Sequence, residues 1–165
     1  MDFQVRPADV DEVSGDDPGH AACENARRKA EAVAGARVLG ADTVVALEGA
    51  ILSKPAGEPE AREWLRALSG RDHTVFGGLC VIEGARRGAA CVCTRVRFRE
   101  LSATEVEWYL ATGEWRGRAG GYAIQGRGGA LVAEIEGDYL NIVGLSAVAL
   151  LSLVPDLLVA VPPEP

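Results

Sequence analysis

The chain has 165 residues, enough for one domain with a proper core and too few for two. Hydrophobic residues make up 48% and charged residues 25%, the balance of a folded globular protein, and no apolar run approaches the length that crosses a bilayer. A net charge of −7 argues against a nucleic-acid duplex or an anionic membrane as partner, while leaving room for a small anion in a local basic pocket.

The opening "MDFQVRPADVDEV" lacks the charged-then-apolar order of a signal peptide, so a cytoplasmic location is expected. It reads as a short strand running into an acidic loop, and "SGDDPG" follows as a turn cluster. "HAACENARRKAEAVAG" is a helix after Pro18, with Ala22, Ala26, Ala30 and Val33 along one stripe and Gly35 at its end. "ARVLGADTVVALEGAIL" gives two strand segments joined at "EGA". In "EPEAREWLRALSG", Ala61, Trp64, Leu65 and Leu68 form the core face of a helix that Gly70 caps.

"HTVFGGLCVIEGARRGAACVCTRVRFREL" reads as a long antiparallel hairpin turning near "EGARRGA". "SATEVEWYLATG" opens with the capping-box spacing of Ser102 and Glu105 and closes at Gly113. A Gly-rich loop, a strand and an "EGD" turn fill "GRAGGYAIQGRGGALVAEIEGDYLNIVGL", and the glycines of "GRGG" are read as serving turns and close backbone approach. "SAVALLSLV" is a short apolar helix, and residues 156–165 form a Pro-rich tail expected to fray. Helices and at least two hairpins in one chain give an α/β or α+β fold, taken as a single domain over residues 1–165.

Four cysteines, Cys23, Cys80, Cys91 and Cys93, are too few and too irregular for a disulfide scaffold or a zinc site, and small core thiols are expected. Cys91 and Cys93 alternate along a strand and share a face. The chain holds fifteen arginines but only two lysines, Lys29 and Lys54. Base-composition bias explains the scarcity but not the places of the two survivors.

Asp42, in "GADTVVALEGAILSKP", follows a turn-prone Gly-Ala and precedes an apolar strand. A carboxylate there must be paired, hydrogen-bonded or metal-bound, or else cap local backbone N–H groups. Lys54 stands before Pro55, which restricts it to extended backbone and aims its side chain, though an exposed loop lysine would look the same. Read together, "GADT", "KP" with a helix behind it, "LSGRDH", "GYAIQGRGG" and "DYLNIVGL" occur in an order and spacing that resembles the Maf family of nucleoside triphosphate pyrophosphatases. The likeness runs from about Phe3 to the helix after Leu145.

The resemblance implies a two-lobed α/β structure, a mixed sheet with flanking helices and a deep central cleft, akin in shape to inosine triphosphate pyrophosphatases. It makes Asp42 the general base or a metal-water ligand, and Glu12 the second acid of the cleft and second metal-side carboxylate. Lys29 and Lys54 match the family's phosphate-contacting lysines, so both retained lysines fall on functional positions. Hydrolysis between the α and β phosphorus atoms of a nucleoside triphosphate substrate then needs a divalent cation, and Mg²⁺ or Mn²⁺ suits two carboxylates better than zinc does. Thr43 and Gln125 match the branch acting on dTTP, UTP and related modified pyrimidine nucleotides, although a strand-forming threonine and a loop amide are the plainer readings of each. His73 is left as a structural or surface residue, and Arg118 stands where the family usually has lysine.

The family normally begins with a further strand and helix carrying a Ser-x-Arg-Arg signature, whereas this chain begins at Met1, where that helix would have ended. The expectation is an N-terminally truncated fold with a bared sheet edge and reduced turnover. A non-catalytic nucleotide-binding regulator linked to cell division is the rival reading. A homodimer is left open.

Overall fold

The β-branched and apolar runs of the chain become one sheet. In the computed structural model, which describes residues 3–158, β1 (Arg37–Leu47), β2 (Ala50–Leu52), β3 (Asp72–Glu83), β4 (Arg86–Phe98) and β5 (Val132–Glu136) lie in the order β2-β1-β3-β4-β5. The helices are α1 (Pro18–Glu31), α2 (Glu58–Leu68), α3 (Ala103–Thr112), α4 (Tyr139–Val143) and α5 (Ala147–Leu153). The α/β class is as expected, but every strand pairing is antiparallel where a mixed sheet was expected. Two of the pairings follow directly from chain connection: β1–β2 and β3–β4 are hairpins, and only antiparallel neighbours can be joined by turns this short. Glu48 and Gly49 both take positive φ, the turn geometry that matches strand twist.

Side-chain alternation divides the molecule into layers. Val44 and Val45 are consecutive, yet Val44 packs with Ala21 and Ala22 of α1, while Val45 joins the main core with Leu65 of α2 and Tyr109 of α3. Thus α1 covers one face of β1 and β3, and the other helices cover the opposite face. The capping box of α3 forms in both directions: Ser102 N–H donates to Glu105, and Glu105 N–H donates to Ser102 Oγ. Trp64, expected in the core face of α2, is only half-buried.

α1 opens on Pro18 with Asp17 accepting from His20 N–H, and it buries Ala22, Ala26 and Ala30 as expected. It ends at Glu31, so Val33 lies beyond the stripe. The small residues matter because the helix rests on glycine. A Cβ on Gly40 would stand 2.1 Å from Ala26 O, and one on Gly78 would stand 2.1 Å from Ala22 O. Backbone therefore lies on backbone, and any side chain at either glycine would lift α1 from the sheet.

Three further expectations are corrected. The strand expected at "DFQVRPADVDEV" does not form; the described part, residues 3–13, carries no secondary structure, and Phe3 and Val5 are exposed because no neighbouring strand pairs with them. Of the four free cysteines, only Cys80 is buried; Cys91 and Cys93 share an exposed face because α1 lies over β1 and β3 and only grazes β4. Pro155–Leu158 forms a 3-10 turn, with Asp156 paired to Arg37 at 2.8 Å. The rest of the expected frayed tail, residues 159–165, lies outside the described residues. Among the described residues no helix is long and apolar enough to cross a membrane.

His73 is a core residue, packed edge-on against Phe98 and Tyr122, with Nε2 2.8 Å from Tyr122 Oη. Burial pushes its pKa down from 6.5 to about 4, against a weaker pull upward from Asp72. Between those values the unfolded chain binds a proton that the folded chain refuses, so stability falls as pH drops through this window. The loss should approach about 3 kcal/mol at the acid end. Urea unfolding of the chain and of a His73→Gln variant between pH 6.5 and 4 should show this slope in the former and its disappearance in the latter.

Candidate active site

β2 is three residues long and pairs only with Val45–Leu47, so among the described residues β1 upstream of Val45 has β3 as its sole neighbour. Asp42 and Thr43 sit on that open edge. Alternation sends Asp42 toward α1 and Thr43 to the opposite face, where its hydroxyl lies beside Gly144.

The close seating of α1 brings Lys29 and Asn25 onto Asp42. The side chain of Asp42 is only 8% exposed. Lys29 Nζ donates to Asp42 Oδ1 at 2.5 Å and to Glu12 Oε1 at 2.8 Å. Lys54 Nζ donates to the same Glu12 oxygen at 3.3 Å, and Asn25 Nδ2 donates to Asp42 Oδ2 at 3.1 Å. The four charged residues expected at the site, Asp42, Glu12, Lys29 and Lys54, therefore form one continuous network.

Two carboxylates and two ammonium groups balance in charge, and each acts on the other's protonation. The hydrogen bond from Lys29 holds the Glu12 carboxyl below its ordinary value, against partial burial, and Lys54 adds to the effect. Burial alone would lower Lys29, but its bonds to Asp42 and Glu12 outweigh this and hold its ammonium above its ordinary value. Stability from Glu12 is present above 4.5 and is lost as pH falls through its lowered pKa. That from Lys29 is present below 10.5 and is lost as pH rises through its raised pKa. The bridge is intact across the neutral range.

A cavity of about 190 Å³ adjoins the network, lined by Asp42, Thr43, Lys54, Arg118, Tyr122 and Gln125 together with Ile142, Val143 and Gly144. Glu12 and Lys29 do not line it; they join it through Asp42 and Lys54. Lys54 follows the end of β2 directly before buried Pro55, and its side chain remains 55% exposed. The loop bearing Arg118 and Gln125 is fixed at two points: Gly120 N–H donates to Ser53 O, and Ala123 N–H donates to the buried Tyr109 hydroxyl. Gly120, at φ 69° and pressed on Val45, has no room for a side chain. Asn141 fastens α4 by donating to Val75 O and Thr94 Oγ1, which sets Ile142–Gly144 at the cavity wall. His73 stands behind Tyr122 and does not line the cavity.

Sequence reasoning missed Asn25 and Tyr122. Asn25 had a readable signal: it lies four residues before Lys29, so both share the flank of the buried alanine stripe, where a polar residue needs a partner. Tyr122 had none, since it lines the cavity with β1 residues that lie far back in the chain.

Among the described residues no three His, Cys, Asp or Glu side chains gather to hold a metal ion. Among the described residues, the carboxylates of this network are those of Asp42 and Glu12, and each still has lone pairs beyond those used by the lysines and Asn25. Such a hard, sparse donor set fits a divalent cation that keeps waters and takes further oxygens from a bound phosphate.

Replacing Lys29 by Met leaves the Asp42 carboxylate nearly buried and without its cation. The expected cost is about 2–3 kcal/mol, somewhat below that of a fully buried pair because Lys29 keeps some solvent contact. Adding Asp42→Asn to that variant should recover part of the loss, which denaturant melts of the single and double variants will measure.

Comparison with known sequences places this geometry in context. The profile of the family described as "Maf-like protein" matches residues 1–157. A dTTP/UTP pyrophosphatase of Pyrococcus furiosus is 43% identical over 160 residues, covering 93% of this chain and 84% of the relative. One from Anaeromyxobacter dehalogenans is 47% identical over 149 residues, with 87% and 77% covered. One from Brucella abortus is 43% identical over 166 residues, with 93% and 80% covered.

Proposed function

Because the chain belongs to the Maf family, we propose that its cleft hydrolyses dTTP and UTP to the nucleoside monophosphate and pyrophosphate. The observation that carries the reading is the order of groups along the cleft. Thr43 and Gln125 line the cavity together with Asp42 and Lys54, and Glu12 and Lys29 continue the polar network outward from those two.

The cavity is smaller than the ~300–1,000 Å³ typical of pockets that enclose a whole ligand, so it takes the base and sugar and leaves the phosphates along the polar rim. A pyrimidine presents carbonyl and N–H groups on one edge, and the Gln125 amide and Thr43 hydroxyl supply both donors and acceptors for them. Asp42 then lies beside the α-phosphorus. Its carboxylate is fixed by Lys29 and Asn25, and its remaining lone pairs accept a hydrogen bond from the attacking water and receive its proton. Lys54, exposed and held by one bond of 3.3 Å, is readily released to the β- and γ-phosphates. Lys29 is held more firmly and keeps the two carboxylates in register while presenting its charge to the same phosphates.

Asp42 and Glu12 would hold the divalent cation, Mg²⁺ or Mn²⁺, which when bound neutralises charge on the leaving pyrophosphate. The products fit removal of modified pyrimidine nucleotides from the cytoplasmic pool.

Asp42→Asn keeps the side chain's shape while removing its capacity to accept a proton. It should lower kcat for dTTP by about 10²–10⁴-fold with KM changed little. Gln125→Ala should instead raise KM and narrow the preference for pyrimidine over purine triphosphates. Pyrophosphate release measured with Mg²⁺ separates these outcomes, and full activity in Asp42→Asn would refute the assignment of the base.

A further inference from the structure

Asn25 is 2% exposed, and its carboxamide is committed to two separate segments. Oδ1 accepts from Val13 N–H at 2.6 Å, and Nδ2 donates both to Val13 O at 3.3 Å and to Asp42 Oδ2 at 3.1 Å. The side chain thus pairs with both backbone groups of Val13, as a neighbouring strand would, and grips the Asp42 carboxylate with the same group. Val13 directly follows Glu12.

Beyond the ion pairs of the Glu12 side chain with Lys29 and Lys54, the segment that carries Glu12 has little to hold its backbone. Residues 3–15 have no secondary structure, and the other backbone anchors among the described residues are exposed and long: Arg28 to Asp11 O at 3.3 Å and Arg6 to Ala34 O at 3.4 Å. The Asn25–Val13 pair is partly buried and short. We propose that Asn25 is a positioning residue: its carboxamide ties the backbone beside Glu12 to the side chain of Asp42, so that the two carboxylates of the cleft are held as one unit. The proposal rests on the pyrophosphatase reading for its consequence, but the tether itself does not depend on that reading.

The chemistry of the position is narrow. One planar group must supply an acceptor and two donors, which a carboxamide does and a carboxylate or alkyl group does not. Aspartate would keep the acceptor for Val13 N–H but set a second carboxylate against Asp42. Leucine would fill the space and leave both Val13 groups without a partner.

Two measurements test this, one independent of activity. In Asn25→Leu, the Val13 amide should exchange with solvent at least about 10-fold faster, while amides of the β1–β3 ladder such as Val44 keep their protection. The same variant should lower kcat for dTTP by about 10–100-fold with KM within about threefold, as a small misplacement of catalytic groups does. In a Glu12→Gln background the further loss should shrink by at least about threefold, to the part carried by the Asn25–Asp42 bond alone, because there the tether no longer places a second carboxylate. A purely structural role predicts the same factor in both backgrounds and would overturn the proposal, as would unchanged exchange at Val13. Should Asn25→Leu fail to fold, Asn25→Asp decides: protection at Val13 retained with kcat reduced supports the tether to Asp42, and wild-type kcat overturns it. If the unaltered chain releases no pyrophosphate from dTTP, the functional reading falls and the Val13 exchange still judges the tether.

Discussion

A carboxylate withdrawn from water on a strand must have a partner, and the pairing of Asp42 with Lys29 is the constraint around which this molecule is arranged. Lys29 reaches Asp42 because α1 lies directly on the sheet. α1 lies there because Gly40 and Gly78 offer no side chains and the helix presents Ala22, Ala26 and Ala30 to them. The short β2 leaves the edge of β1 open beside Asp42, so the paired carboxylate faces a cavity rather than another strand. Packing of small residues at the helix–sheet contact therefore sets the chemistry at the edge of the same sheet.

The two faces of β1 contribute different parts of the cleft. The α1 face brings charge, through Lys29 and Glu12 with the neutral Asn25 holding them in place, and the opposite face brings shape, through the loops that hold Tyr122, Gln125 and Gly144. Consecutive residues, Asp42 and Thr43, join the halves because a strand points neighbours in opposite directions. In the proposed reading, a nucleotide lying across the open edge would meet recognition on one side and countercharge on the other. The reading of the chain as a pyrophosphatase draws its physical sense from that division of labour.

Much of this was legible in the sequence because its signals are local. Asp17 and Pro18 mark the start of α1, Ser102 and Glu105 the start of α3, and "EG" both hairpin turns, each through a preference that acts within a few residues. The placement of both scarce lysines in one network was also within reach, since arginine replaced lysine everywhere else. Contacts between distant segments were not. The alternation of Cys91 and Cys93 fixes a shared face but cannot say that α1 stops short of it, and the apolar alternation of Phe3 and Val5 suggests a strand without supplying a neighbour. Asn25 looked like a helix residue because its partners, Val13 and Asp42, come from two different segments.

The central claim is that Asp42 delivers water to the α-phosphorus, the position between the nucleoside cavity and the lysine rim. Hydrolysis of dTTP in water enriched in oxygen-18, with mass analysis of both products, tests it directly. The account predicts one labelled oxygen in the thymidine monophosphate and none in the pyrophosphate. Label in the pyrophosphate, or release of single phosphate groups, would place the attack elsewhere and contradict it.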